Sequence, residues 1–206
     1  IEPGAINWMT AGRGIVHSER KPEGLRESTF VNHGLQLWAA LPRELEEVEP
    51  SFAHTRADDI PELVVDGATV RVLIGEAFGR KSPVTTVSQT LYLDVQLPAG
   101  TALQLPPVCA EMAVYAVDGD LVVDGNTQAA LTMAVLTPGA ASTLAAPDGP
   151  ARFVVIGGDA LDAPRHMWWN FVSSRKERIV QAADDWEAGR FAPVPGETEF
   201  IPLPER

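Results

Sequence analysis

The chain has 206 residues, of which 45% are hydrophobic, enough for one large β domain or two small ones around a packed core. With 28 acidic against 16 basic side chains it carries a formal charge of −12 and no Lys/Arg run, which argues against direct binding to a nucleic-acid polyanion. No stretch approaches the roughly 18 apolar residues of a membrane-spanning helix, and a single cysteine, Cys109, forms no internal disulfide and points to a reducing, cytoplasmic setting.

In chain order, Pro3-Gly4 predicts a turn leading into a strand, and a second turn containing Gly14 predicts another strand at Ile15–Val16. Further short apolar strands are predicted at Leu35–Leu41, Val70–Ile74, Leu91–Leu97, Ala113–Val117, Leu121–Val123 and Phe153–Ile156, punctuated by Pro and Gly. The acidic segment from Arg43 has little apolar period and reads as a connection, with His54 solvated inside it. The Pro-Gly turn and its surroundings recur at Pro138-Gly139, an offset of 135 that also matches Ala11 to Ala146 and Gly14 to Gly149. One helix is predicted, capped by Ser174 with Glu177 reaching back and ending at Gly189. It presents Ile179, Ala182, Ala183 and Trp186 on one face, and an extended Pro-rich tail, Pro193 to Pro204, follows.

His17 and Glu19 are the sharpest chemical pair. On a strand, residues i and i+2 share a face, so an imidazole and a carboxylate would converge. If that face is buried, Glu19 needs a cation, a metal or a proton. His and carboxylate donors with open positions suit non-haem Fe(II), with Mn, Ni or Zn as substitutes. The same spacing also fits a pair bonded to each other or facing solvent. Gly12-x-Gly14 lacks the third glycine and the helix of a nucleotide loop. Cys109 has no cation near it in sequence and reads as a structural thiol. His33 reads as a turn residue, and His166, beside Trp168 and Trp169, as part of tail packing.

The run Asn7-Trp8-Met9-Thr10-Ala11-Gly12-Arg13-Gly14-Ile15-Val16-His17-Ser18-Glu19 resembles the second cupin motif of the pirin family in its Glu-ended form. His33 to Trp38 with Leu41-Pro42, Tyr92 to Val95, and Glu187 to Phe191 resemble later parts of the same family. The resemblance implies an all-β bicupin, two double-stranded β-helix (jelly-roll) barrels with a C-terminal helix. The expected divisions are 1–42, the remainder of a metal-binding N-terminal cupin; 43–69, a connection; 70–163, the C-terminal cupin; and 164–206, helix and tail.

The resemblance further implies iron held by His17 and Glu19 together with two histidines of an upstream His-x-His pair. The chain opens at Ile1 in mid-pattern, which reads as a truncation, and with two of four ligands it is expected to bind metal weakly or not at all. The offset of 135 maps His17 to Arg152 and Glu19 to Val154, so the second cup is expected to be metal-free. By resemblance the activity is that of a quercetin 2,3-dioxygenase, with Glu19 as ligand and base and with Trp8, Met9, Gln36 and Trp38 as walls for a flat flavonol-like substrate. The alternative is a non-enzymatic, iron-dependent redox sensor that acts through a protein partner.

Overall fold

Strict alternation of apolar and polar residues dictates the main architecture, because successive strand side chains point to opposite faces and only one face can be buried. In the computed structural model, which describes residues 1–205, the chain divides into two compact units. The first comprises Ile1–Met9 and Phe52–Ala160; the second comprises Thr10–Ser51 and the chain from Leu161 onward.

The first unit is built from antiparallel strands: β1 (Ile6–Thr10), β2 (Ser51–Thr55), β3 (Glu62–Val65), β4 (Ala68–Ile74), β5 (Glu76–Ala77), β6 (Arg80–Lys81), β7 (Thr90–Leu97), β8 (Thr101–Leu105), β9 (Glu111–Asp118), β10 (Leu121–Val123), β11 (Asn126–Gln128), β12 (Met133–Val135), β13 (Ser142–Ala146) and β14 (Ala151–Gly158). A six-stranded sheet runs β12-β9-β14-β7-β4-β3 and a four-stranded sheet β11-β10-β13-β8. Their inner faces form one core. Val70 and Val72, Leu93 and Val95, Val114, and Phe153 and Val155 come from the larger sheet, and Leu103, Leu105, Leu121 and Leu144 from the smaller. Every one of these side chains is fully buried, so the interior is filled with hydrocarbon.

Two register shifts interrupt the alternation. Between Val72 and Ile74 an extra residue on β4 turns Leu73 and Ile74 to the outer side, where they join Ile6 and Ile60, with Trp8, Val84 and Tyr92 packed against them. The second shift, between Arg152 and Phe153, accompanies two consecutive buried residues, Ala116 and Val117, on β9.

The predicted strands at Val70–Ile74, Leu91–Leu97, Ala113–Val117, Leu121–Val123 and Phe153–Ile156 all lie within β4, β7, β9, β10 and β14. The two Pro-Gly turns of the internal repeat are also present. Gly4 and Gly139 both take positive φ, 79° and 72°, and strands β1 and β13 follow them. The repeat ends there, because residues 14–22 form no strand where β14 stands in the later copy. The predicted strand at Leu35–Leu41 is likewise absent: no segment pairs with it among the described residues, and Leu35, Leu37 and Trp38 are exposed. The acidic segment is not featureless. It carries a short 3-10 turn, Arg43–Leu45, and strand β2, on which His54 is exposed as expected while its Nδ1 lies 2.7 Å from Asn7 Oδ1.

The second unit holds a hairpin of β15 (His166–Trp168) and β16 (Phe171–Ser173) and the helix α1 (Lys176–Glu187), which buries Ile179, Ala182 and Ala183. Its start differs from the sequence expectation: no side chain caps it, because the Ser174 hydroxyl is used elsewhere. Trp169 and Phe171 meet edge to face at 5.3 Å, and Trp186 packs against Trp169, Phe191 and Phe200. This aromatic cluster orders the hairpin, the helix and the Pro-rich tail together. Among the described residues no helix is long and apolar enough to cross a membrane.

Candidate metal centre

The segment carrying His17 and Glu19 is set by the turn before it. Arg13 N–H donates to Val48 O at 3.0 Å and Gly14 N–H to Ala11 O at 2.9 Å. Gly12 has φ 50°, and a Cβ there would stand 2.1 Å from Val48 O, so only glycine allows the approach. The Gly-x-Gly pair therefore builds a turn.

Beyond the turn, residues 15–21 make no backbone–backbone hydrogen bond with any described residue and belong to no strand. This corrects the strand expected at Ile15–Val16: no described segment supplies a ladder. His17 and Glu19 are both exposed, so the burial argument that would force a counter-ion on Glu19 does not apply here. Neither side chain has a hydrogen-bond or ion-pair partner among the described residues, and they are not paired with each other.

Their neighbours are engaged instead. Ser18 Oγ donates to Glu197 Oε1 at 2.9 Å, and Arg20 grips the same carboxylate through Nε at 3.0 Å and Nη2 at 2.5 Å, reaching Glu199 as well at 2.9 Å. Hydrogen bonds from Arg20 and Ser18 hold the Glu197 carboxyl down to about 2. Two residues, i and i+2, on one carboxylate mark one side of an extended segment. The donors of His17 and Glu19 lie between and beside them, unspent.

A second set of charges organises the same unit, and the sequence reading of a solvated acidic linker missed it. Glu46, 9% exposed, lies 2.9 Å from Arg165 Nε, whose own side chain is 6% exposed. That approach is an ion pair without hydrogen-bond alignment, since Nε is buried with no aligned acceptor. Glu46 also accepts from Ser173 Oγ, Ser174 N–H and Ser174 Oγ at 2.9, 2.8 and 3.1 Å. Arg165 donates further to Leu41 O, Ala163 O and Asp162. Glu47 takes Arg175 and Arg178, and Glu49 pairs with Arg13. The available signal was the run of acids at 44, 46, 47 and 49 set against basic residues at 165, 175 and 178.

The remaining predicted residues are dispersed in role. Trp8 packs on the outer apolar cluster of the first unit and Met9 is half-buried beside it in sequence, whereas Gln36 and Trp38 are exposed in a segment without strand. His33 and His166 are exposed. Cys109 is half-buried, its thiol donating to Glu111 O at 3.3 Å, and burial pushes that thiol up from its ordinary range. Arg152 and Val154 sit on the outer side of the six-stranded sheet, Arg152 bound to Asp94 at 3.0 and 2.8 Å, so the offset of 135 does not map His17 and Glu19 onto the core-facing row of the first unit. Among the described residues no three His, Cys, Asp or Glu side chains gather in metal-binding geometry. His17 and Glu19 offer an imidazole and a carboxylate that have no partner among the described residues.

Residues 92–192 match the family model described as the Pirin C-terminal cupin domain, and residues 1–39 match the model described as Pirin. A pirin-like protein of Caulobacter vibrioides is 44% identical over 207 residues, covering 100% of this chain and 71% of that one. Mouse pirin is 38% identical, covering 90% of this chain and 64% of its own length. A crystal structure of quercetin 2,3-dioxygenase from Acinetobacter baumannii superposes with a TM-score of 0.84 at 29% identity, over 100% of this chain and 68% of that one.

Proposed function

Because the chain belongs to the pirin family, whose fold is an all-β bicupin, we propose that it supplies His17 and Glu19 to a metal centre with quercetin 2,3-dioxygenase-like activity toward a flavonol-like substrate. The observation that carries this reading is the donor pair, an imidazole and a carboxylate two residues apart with no partner among the described residues, inside the segment that matches the family model. The other two ligands expected from the resemblance are the histidines of a His-x-His pair. Iron(II) is the metal we assign, with Mn, Ni or Zn as substitutes; bound there, it would supply Lewis acidity and a redox electron for dioxygen chemistry.

The chain's own residues then have separable roles. His17 offers a neutral ring nitrogen as a ligand. Glu19 offers two carboxylate oxygens, one for the metal and one able to accept the flavonol hydroxyl proton. Trp38, 54% exposed, offers an apolar face to a flat ring, and Gln36, two residues before it in sequence, an amide.

The test supplies the full-length protein, carrying the expected His-x-His pair, with Fe(II) and quercetin in aerated buffer and follows loss of flavonol absorbance together with oxygen uptake. Turnover above that of free iron, lost in Glu19→Gln and His17→Ala, is the expected result. Turnover no faster than free iron sinks the enzymatic reading. The outward placement of both donors favours one second reading, an iron-dependent redox sensor in the cytoplasm whose metal state is read by a protein partner. That reading predicts metal-dependent partner binding without loss of quercetin.

A further inference from the structure

We propose that Glu197, in the C-terminal tail, is a positioning residue for the His17 and Glu19 pair, holding the two alternate residues Ser18 and Arg20 so that both ligands face the same way. The proposal rests on the metal-centre reading above and assigns it a further residue.

Residues 15–21 have no backbone ladder to fix their twist, so the orientation of His17 and Glu19 depends on side-chain contacts. The contacts that flank the pair belong to Ser18 and Arg20, while Lys21 Nζ at the end of the segment donates to Ser28 O at 3.3 Å. Both oxygens of the Glu197 carboxylate are used, Oε1 by Ser18 and by Arg20 Nε, and Oε2 by Arg20 Nη2, which leaves little rotation to the segment between. This is a bidentate Arg–carboxylate fork, the geometry that gives direction as well as attraction. The fork has a firm base. The tail that presents Glu197 turns at Val194–Glu197, with Glu197 N–H donating to Val194 O at 3.1 Å and Gly196 at φ 81°. Beyond it the tail is pinned to α1 by Phe200 stacked on Trp186 at 5.4 Å and by Trp186 Nε1 donating to Ile201 O at 2.8 Å.

An exposed ion pair contributes little to global stability, since solvent screens it and two long side chains must be ordered. Its effect is therefore expected on ligand direction. Outer contacts that orient metal ligands typically change metal affinity by about 10- to 100-fold. An exposed clamp should lie at the lower end.

The test titrates the intact protein with Co(II), whose visible ligand-field bands report coordination geometry, and follows amide exchange across residues 15–21. Glu197→Ala and Glu197→Gln are expected to weaken Co(II) binding about tenfold, shift the bands and speed exchange in that segment. The charge swap Arg20→Glu with Glu197→Arg is expected to restore affinity and band position, a rescue that a merely structural role would not give. Unchanged affinity and bands in Glu197→Ala, in a protein whose Co(II) binding is lost in His17→Ala, overturns the positioning role alone. Co(II) binding unchanged in both His17→Ala and Glu19→Gln overturns the metal-centre reading and this proposal with it. Should Glu197→Ala fail to fold, the swap decides: a folded, metal-binding single Arg20→Glu variant with native bands also overturns the proposal.

Discussion

Replacing Arg165 by Met tests whether the acidic segment is a structural hub. The substitution keeps most of the side-chain volume but removes a guanidinium that is 6% exposed, and it leaves Glu46, 9% exposed, without its counter-charge. Glu46 would retain three hydrogen bonds from Ser173 and Ser174, so the carboxylate is only partly abandoned. The carbonyls of Leu41 and Ala163 would lose their donor. Breaking a buried pair on one side costs about 3–5 kcal/mol, and the surviving hydrogen bonds place this case near about 3 kcal/mol. At 1.36 kcal/mol per decade, exchange of the Ser174 amide, which donates to Glu46 Oε1 at 2.8 Å, should accelerate on the order of a hundredfold. Site-resolved hydrogen exchange is the assay, because one unfolding midpoint is ill defined for a chain of two units. The double variant with Glu46→Gln should recover part of the loss, since it removes the stranded charge. Exchange at Ser174 within threefold of the parent in Arg165→Met would refute the reasoning.

Gly12→Ala should cost at least about 2 kcal/mol, from positive φ and a Cβ driven into Val48 O. Gly24→Ala, where no atom lies within 4 Å, should stay within about 0.5 kcal/mol; equal acceleration of exchange at the Arg13 amide, which donates to Val48 O, in the two variants would contradict the turn argument. Phe153→Ala, fully buried at the centre of the first unit, should destabilise that unit by about 3–5 kcal/mol, read by exchange of its strand amides. Tyr92 is pushed up to about 12 by burial and by Asp94, with Arg152 opposing. Its folded value lies above the ordinary phenol range, so its contribution to stability is complete below about pH 10 and is lost as pH rises through about 12. Ultraviolet titration should find its midpoint lowered in Asp94→Asn and raised further in Arg152→Gln; a midpoint that moves with neither would reject this electrostatic account.

The strands that were legible in the sequence are those whose apolar alternation is closed by a core. Leu91, Leu93, Val95 and Leu97 all face inward, and their period is a direct record of that burial. Leu35, Leu37 and Trp38 carry the same kind of pattern but have no sheet to join among the described residues, and pattern alone cannot supply a partner. Strands β3 and β8 were missed because each is short and lies next to proline or glycine turns. The helix was legible from Ile179, Ala182 and Ala183, but its cap was not, since the choice of Ser174 between Glu177 and Glu46 is made by the fold. For the candidate site, the i, i+2 spacing of His17 and Glu19 was visible, and so was the family motif. The grip of Glu197 on Ser18 and Arg20 left no local trace, because no periodicity links residues this far apart.

The second unit is made from two stretches of chain with the whole strand-rich region between them. On the ribosome, Arg20 emerges 177 residues ahead of Glu197, a wait of roughly 10–35 s at about 5–20 residues per second. Until Glu197 is made, the stretch around Ser18 and Arg20 has no such carboxylate to hold it, and the intervening sheets can mature first. Loss of the segment around Glu197 would therefore be felt at Ser18 and Arg20, in a stretch made long before it.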